Sequence, residues 1–180
     1  LGNWEFVVIF VLVLIGAGIT NLLSGVGRMI REARRVKCYW VHCVWLVVHL
    51  FTYLSVWFSY FDDQGEVFGF VEFLESVLAF SLLYLLTVVS FPDFGASEEL
   101  DLREHFLNTH RAYFSVWALV WLIPGVTVVF GSWEESPGLD ELAPLVYFAL
   151  SVAGVFASSS RTHAALAVAV LLSIVVQMAY

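Results

Sequence analysis

At 180 residues, of which 61% are hydrophobic, 17% aromatic and only 13% charged, the chain departs from soluble usage of about 45–50% apolar and about 25% charged. A soluble fold of this length has nowhere to hide so much apolar surface, whereas a bilayer accepts it when backbone polar groups are satisfied inside helices or a closed barrel. The formal charge of -8 argues against nucleic acid as a partner.

The apolar runs are about 20 residues long and lack period-two alternation, so they are predicted to be helices rather than barrel strands. Six are marked, at 4–23, 39–60, 68–91, 112–130, 142–157 and 164–180. The expected fold is all-α: one transmembrane domain over 1–180, a polytopic bundle of six spans, with a short interfacial cytoplasmic helix between the third and fourth. The N-terminal run lacks a basic region and a small-residue cleavage pattern, so it does not read as a secretory signal.

The first run carries Gly16, Thr20 and Ser24 at intervals of four, beside Ala17, Asn21 and Gly25. Small residues at that spacing predict a helix-packing face, with Asn21 hydrogen-bonding across it. The break at 28–37 holds five of the eight Lys and Arg residues, Arg28, Arg31, Arg34, Arg35 and Lys37. With that break inside, Arg103, Arg111 and Arg161 also fall in inner segments and the outer segments hold no Lys or Arg. The positive-inside rule then places both termini in the periplasm.

Cys38 and Cys43 are five residues apart, a spacing of neither a zinc clip nor a redox pair, and they are expected to be reduced packing residues. The second run is the most polar. His42, Trp45, His49, Thr52, Val56 and Ser59 recur every three or four residues, which gathers two imidazoles and two hydroxyls on one stripe. An imidazole at the depth of His49 must find a partner, and Asn21 and Tyr84 are the expected ones.

The third run places Glu72 and Glu75 close to its outer end, about 8 and 12 Å along the helix from residue 67, as an outer acidic collar. In 92–110, Ser97, Glu98 and Glu99 are expected to start a helix with acids at its positive end. A metal site drawn from Glu98, Asp101 and His105 is weighed against solvated acids at a helix start, and the latter is preferred. Pro124 predicts a kink in the fourth helix, because it cannot donate to the carbonyl of Val120. Ladders at Ala149, Ala153 and Ala157 and at Ala165, Ala169 and Ser173 predict a closely packed final hairpin. Aromatic pairs at Tyr39-Trp40 and Tyr113-Phe114 open two helices that end in acidic turns, a faint repeat suggesting two parallel hairpins.

The stretches GITNLLSGVGRMIR, VKCYWVHCVWLVVHL and LREHF resemble a group of small bacterial six-helix integral membrane proteins without assigned function. The resemblance implies the bacterial inner membrane and brings no catalytic residues with it.

No phosphate loop, dinucleotide fingerprint, nucleophile elbow or HExxH occurs. A bis-haem site lacks a second helix offering a buried histidine. No catalytic residue, metal site or cofactor is assigned. Three readings follow. The first is a proton or small-cation conduit or sensor, assembled as a homo-oligomer, with Glu72 and Glu75 as the collar and His49 and His42 as the relay. The second is a non-catalytic subunit or lipid-facing scaffold that partners membrane lipids or another membrane subunit. The third, an intramembrane metal-dependent enzyme, would draw on His49, Glu72 and Glu75.

Overall fold

The computed structural model describes residues 3–62, 69–95, 99–130 and 142–179. These form six helices: α1 (Asn3–Arg31), α2 (Trp40–Asp62), α3 (Phe70–Ser90), α4 (Leu102–Phe130), α5 (Ala143–Phe156) and α6 (Ser160–Ala179). A two-residue parallel ladder joins β1 (Val36–Lys37) to β2 (Leu100–Asp101).

Four of the helices, α1 to α4, are long and apolar enough to cross a membrane, which is compatible with a membrane protein. The expected six crossings are not supported. α5 has 14 residues and extends about 21 Å at 1.5 Å per residue, short of an apolar layer about 30 Å thick. Its start is fixed by Pro144 in the first helical turn and its end by extended backbone at Ala157. The apolar part of α6 described in full, Ser160–Val176, is likewise shorter than the first four.

The separate interfacial helix expected before the fourth crossing is also corrected. α4 runs unbroken for 29 residues through Pro124. Its start is set by Asp101, whose Oδ1 accepts from the backbone N–H of Arg103 at 2.9 Å and of Glu104 at 3.2 Å. That is an N-terminal cap, and no breaker follows until the proline. Of the earlier start expected at Ser97, Glu98 and Glu99, Ser97 and Glu98 lie outside the described residues.

α1 is packed along α3, and α4 lies between α3 and α5. The buried face of α1 is Val7, Val11, Ile15, Gly18, Leu22 and Gly25, a three-to-four rhythm rotated away from the expected one. Thr20 and Ser24 are exposed, and Asn21 is half-buried with no hydrogen bond among the described residues. The reason is steric. At Gly18 a Cβ would lie 2.2 Å from the Tyr53 hydroxyl, and at Gly25 2.4 Å from the Phe91 ring. Each glycine therefore admits an aromatic ring from a neighbouring segment, a closeness that threonine or serine forbids.

The final hairpin is corrected in the same way. Of the two ladders, Ala149, Ala153, Ala165 and Ala169 are exposed, whereas Ala157 is buried and Ser173 meets the Tyr147 hydroxyl across α5 and α6 at 2.8 Å, and α5 buries Tyr147, Ser151 and Gly154. Gly154 receives the ring of Phe114 from α4, where a Cβ would come within 2.5 Å. α5 therefore packs chiefly on α4 rather than on α6.

The end of α1, the start of α2, the end of α3, the start of α4 and the α5–α6 link meet at one end of the bundle. The Arg35 guanidinium donates to the Phe94 carbonyl, the Leu100 N–H donates to the Arg35 carbonyl at 2.8 Å, and the Tyr39 hydroxyl meets Ser160 Oγ at 2.7 Å. Lys37 Nζ is paired with Glu99 at 2.5 Å, which holds the amine above its ordinary 10.5. Seven of the eight Lys and Arg residues belong to these segments or to the helix turns beside them, and the eighth, Arg111, lies in the third turn of α4.

Tight seating of Tyr53 on Gly18 has a measurable consequence. Gly18→Ala is expected to destabilise the bundle by about 1–3 kcal/mol through overpacking, more than the about 1 kcal/mol that alanine gains over glycine in a helix. In a double-mutant cycle with Tyr53→Phe, read by reversible unfolding in mixed micelles, the two changes are expected to couple by at least about 0.5 kcal/mol. Strict additivity would show that the two residues do not meet.

Candidate functional site

The polar stripe of α2 is buried from His42 through Trp45, His49 and Thr52, while the side chain of Ser59 lies outside the described residues. His49 has 0% exposure. Its Nε2 is 3.1 Å from the carbonyl of Leu83 on α3 and 3.3 Å from Thr87 Oγ1. A carbonyl only accepts, so the Nε2 carries the hydrogen. Thr87 donates to the same carbonyl at 3.1 Å and accepts from the Tyr53 hydroxyl at 3.2 Å. The His49 ring stacks on Tyr53 at 5.1 Å and lies 6.0 Å from Trp117 of α4. This junction of four helices replaces the expected partners. Tyr84 is exposed, and Asn21 is not within reach of the network by any hydrogen bond among the described residues.

A cleft of about 500 Å³ opens between α2, α3 and α4, away from the basic end. Its polar lining is Glu75, Ser76, Thr52 and Thr127; Phe80 and Trp121 contribute rings, and Val120 and Pro124 sit together in its wall. Leu83, whose carbonyl holds His49, is also part of the lining. Glu75 is exposed and makes no hydrogen bond or ion pair among the described residues. It precedes Leu83 by eight residues, about 12 Å along α3, so the carboxylate and the imidazole do not share a site. Glu72 lies on α3 one turn earlier, its side chain outside the described residues. Thr52, Val56 and Trp121 also line a smaller chamber of about 50 Å³, walled by Trp45, Trp117 and Tyr147.

The four remaining histidines gather at the basic end, where sequence spacing predicts no second buried imidazole. His163 on α6 is fully buried, and its Nε2 donates to the Ala157 carbonyl at 3.1 Å. It stacks on Phe114 at 5.4 Å and faces His110 at 5.0 Å. His42 meets His105 edge-on at 6.1 Å, and Phe106 stands between the two pairs, 6.2 Å from His42 and 5.2 Å from His163. The cavity beside His42 measures only about 10 Å³, about one water, so no macrocycle fits there. Among the described residues no three His, Cys, Asp or Glu side chains come together as metal ligands. Asp101 instead caps α4, and Glu98 lies outside the described residues. Nothing in the one-dimensional pattern marks this cluster, because His105, His110 and His163 come from two helices whose relative register is set only by packing.

What this arrangement does chemically differs between its two parts. The His49 junction pairs its Nε2–H and the Tyr53 and Thr87 hydroxyls internally, while His49 Nδ1 and the Trp117 indole N–H have no hydrogen-bond partner among the described residues. The cleft presents a carboxylate with no pair among the described residues, hydroxyls and aromatic side chains. Loss of the shared hydroxyl by Thr87→Val is expected to lower stability by about 1 kcal/mol, whereas Thr87→Ser is expected to stay within about 0.5 kcal/mol of the parent, following the usual scale of hydrogen bonds between apolar-phase helices. Unfolding in mixed micelles measures both, and equal losses would show that the hydroxyl does not bridge α2 and α3.

Comparison with protein-family profiles, with curated proteins and with solved structures found no match to this chain.

Proposed function

We propose that this chain is a membrane-embedded sensor or receptor for organic cations, with Glu75 as the ionic anchor of the cleft between α2, α3 and α4. The observation that carries the reading is the exposed Glu75 carboxylate, which has no pair among the described residues, on a cleft of about 500 Å³, the size and mixed character of a small-molecule site. Most of the lining is apolar, which suits a cation with an apolar body better than a hydrated metal ion. Phe80 and Trp121 are among the cleft's lining residues, and aromatic rings attract such a charge. Pro124 has no N–H for the Val120 carbonyl, so a further acceptor is available in the same wall.

This retains the sensing half of the first sequence reading. The conducting half draws less support, since His49 is sealed and bonded on its Nε2, and among the described residues no contact joins it to Glu75. The scaffold reading keeps one observation of its own: the His49, Tyr53 and Thr87 network has the form of polar glue between helices.

Titration of the purified full-length protein with tetraphenylphosphonium, followed by tryptophan fluorescence, tests the cation reading. Saturable binding is expected, weakened about tenfold or more in Glu75→Gln, equivalent to about 1.4 kcal/mol. Thr87→Val, outside the cleft, is expected to bind as the parent does. Unsaturable partitioning, or equal affinity in Glu75→Gln, would leave the scaffold reading.

The orientation is part of the same proposal: the basic end faces the cytoplasm and both termini the periplasm. Cys38 is exposed at the basic end. A membrane-impermeant maleimide is therefore expected to leave it unlabelled in intact cells and to label it in inverted vesicles. The reverse pattern would turn the protein over.

A further inference from the structure

Two cysteines five residues apart on one continuous helix would sit about 140° apart around its axis and could not meet. α2, however, begins at Trp40, so Cys38 lies in the turn after β1 and is free of helical geometry. There it folds back over the first turn, which is closed by the Cys43 N–H donating to the Tyr39 carbonyl at 3.2 Å. The two Sγ atoms are 3.4 Å apart, and both thiols are free. A bond length of about 2.05 Å requires only a small further approach. Cys38 is exposed and Cys43 is half-buried behind it, the arrangement of an attacking thiol with a resolving one. Of the cations that immediately precede Cys38, Arg35 is paired with Glu32 and Lys37 with Glu99, which leaves the exposed Arg34 as the charge that attracts an anionic reactant.

We propose that Cys38 and Cys43 form a thiol–disulfide exchange site whose substrate is a small anionic disulfide. The Cys38 thiolate attacks one sulfur of that disulfide, forming a mixed disulfide and releasing one thiolate. Cys43 then loses its proton to solvent and attacks the Cys38 sulfur, closing the internal disulfide and releasing the second thiolate. Two electrons pass from the protein dithiol to the substrate, which leaves as two thiols, and an excess of the thiol reverses the sequence. The closed form spans the start of α2, directly beside the segment in which Arg35 and Lys37 tie the α1–α2 link to the acidic α3–α4 link.

The test uses the full-length protein in micelles with oxidised and reduced glutathione at fixed ratios, alkylated and read by intact mass. As the oxidised fraction rises, the wild type is expected to lose both alkylatable thiols and two hydrogens together, without retaining glutathione, and to recover both on reduction. Cys43→Ser is expected to trap glutathione on Cys38, to a level about tenfold above the wild type. Cys38→Ser is expected to react about tenfold more slowly than Cys43→Ser. Helical circular dichroism equal to that of the parent checks that both variants fold. A glutathione adduct that persists on the wild type, a disulfide between two chains, equal reactivity of the single variants or no reaction at all would each overturn the proposal.

Discussion

The carbonyl of Leu83 accepts from two side chains, His49 on α2 and Thr87 on its own helix. Its position decides much else. Polar atoms buried in a helical bundle find no water, so they pair with one another or leave a costly unmet group. His49 can reach Leu83 only if α2 lies close against α3 at this level, and Tyr53 can reach Thr87 only if its hydroxyl passes close to α1. Gly18 permits that passage, since any larger residue there would meet the Tyr53 oxygen. One shared acceptor and one missing Cβ thus couple the positions of three helices, with Trp117 of α4 closing the fourth side.

From this centre the molecule diverges toward two unlike ends. At the basic end, loops are cross-braced by backbone pairing between β1 and β2, by Arg35 and by the Lys37–Glu99 ion pair, while aromatic and imidazole rings fill the space beneath. An exposed ion pair contributes little by itself. The bracing rests instead on the backbone ladder and on ring packing around Phe106. Toward the other end, α2, α3 and α4 separate enough to leave the cleft, and Pro124 removes a helical hydrogen bond from its wall. The exposed groups Cys38 and Glu75 lie toward opposite ends, while in the middle His49 Nε2 and the Tyr53 and Thr87 hydroxyls are paired and His49 Nδ1 and the Trp45 and Trp117 indole N–H groups have no hydrogen-bond partner among the described residues.

Some of this is legible in the residues alone, and the limit has a physical origin. The stripe from His42 to Thr52 follows from helical period, because which residues share a face depends only on local geometry. Its partners do not, since the depth at which α3 meets α2 is a matter of register between segments. The packing face of α1 illustrates the difference: Gly16, Thr20 and Ser24 have the right spacing for close approach, yet the neighbouring ring enters at Gly18, where only the absence of a side chain suffices. For α5, apolar composition continues past the helix ends, so composition overstates its length. The cysteines are masked by a boundary: their spacing rules out contact within a helix, and only the onset of α2 two residues after Cys38 makes contact geometrically available.

The separation of Glu75 from His49 also bears on what passes through the bundle and what stops in it. An ion leaving the carboxylate for the imidazole would cross about two turns of α3 lined by Ala79, Phe80 and Leu83, with no charged group on the way. Stripping its hydration shell in such surroundings costs far more than one distant ring nitrogen returns. A cation that carries its own apolar body meets no such penalty. On the proposed reading its hydrocarbon would replace water against Phe80, Trp121 and Val128, and its charge would stay within reach of Glu75. The same apolar wall that would oppose the transit of a bare ion would therefore favour the residence of an amphiphilic one under the proposed reading.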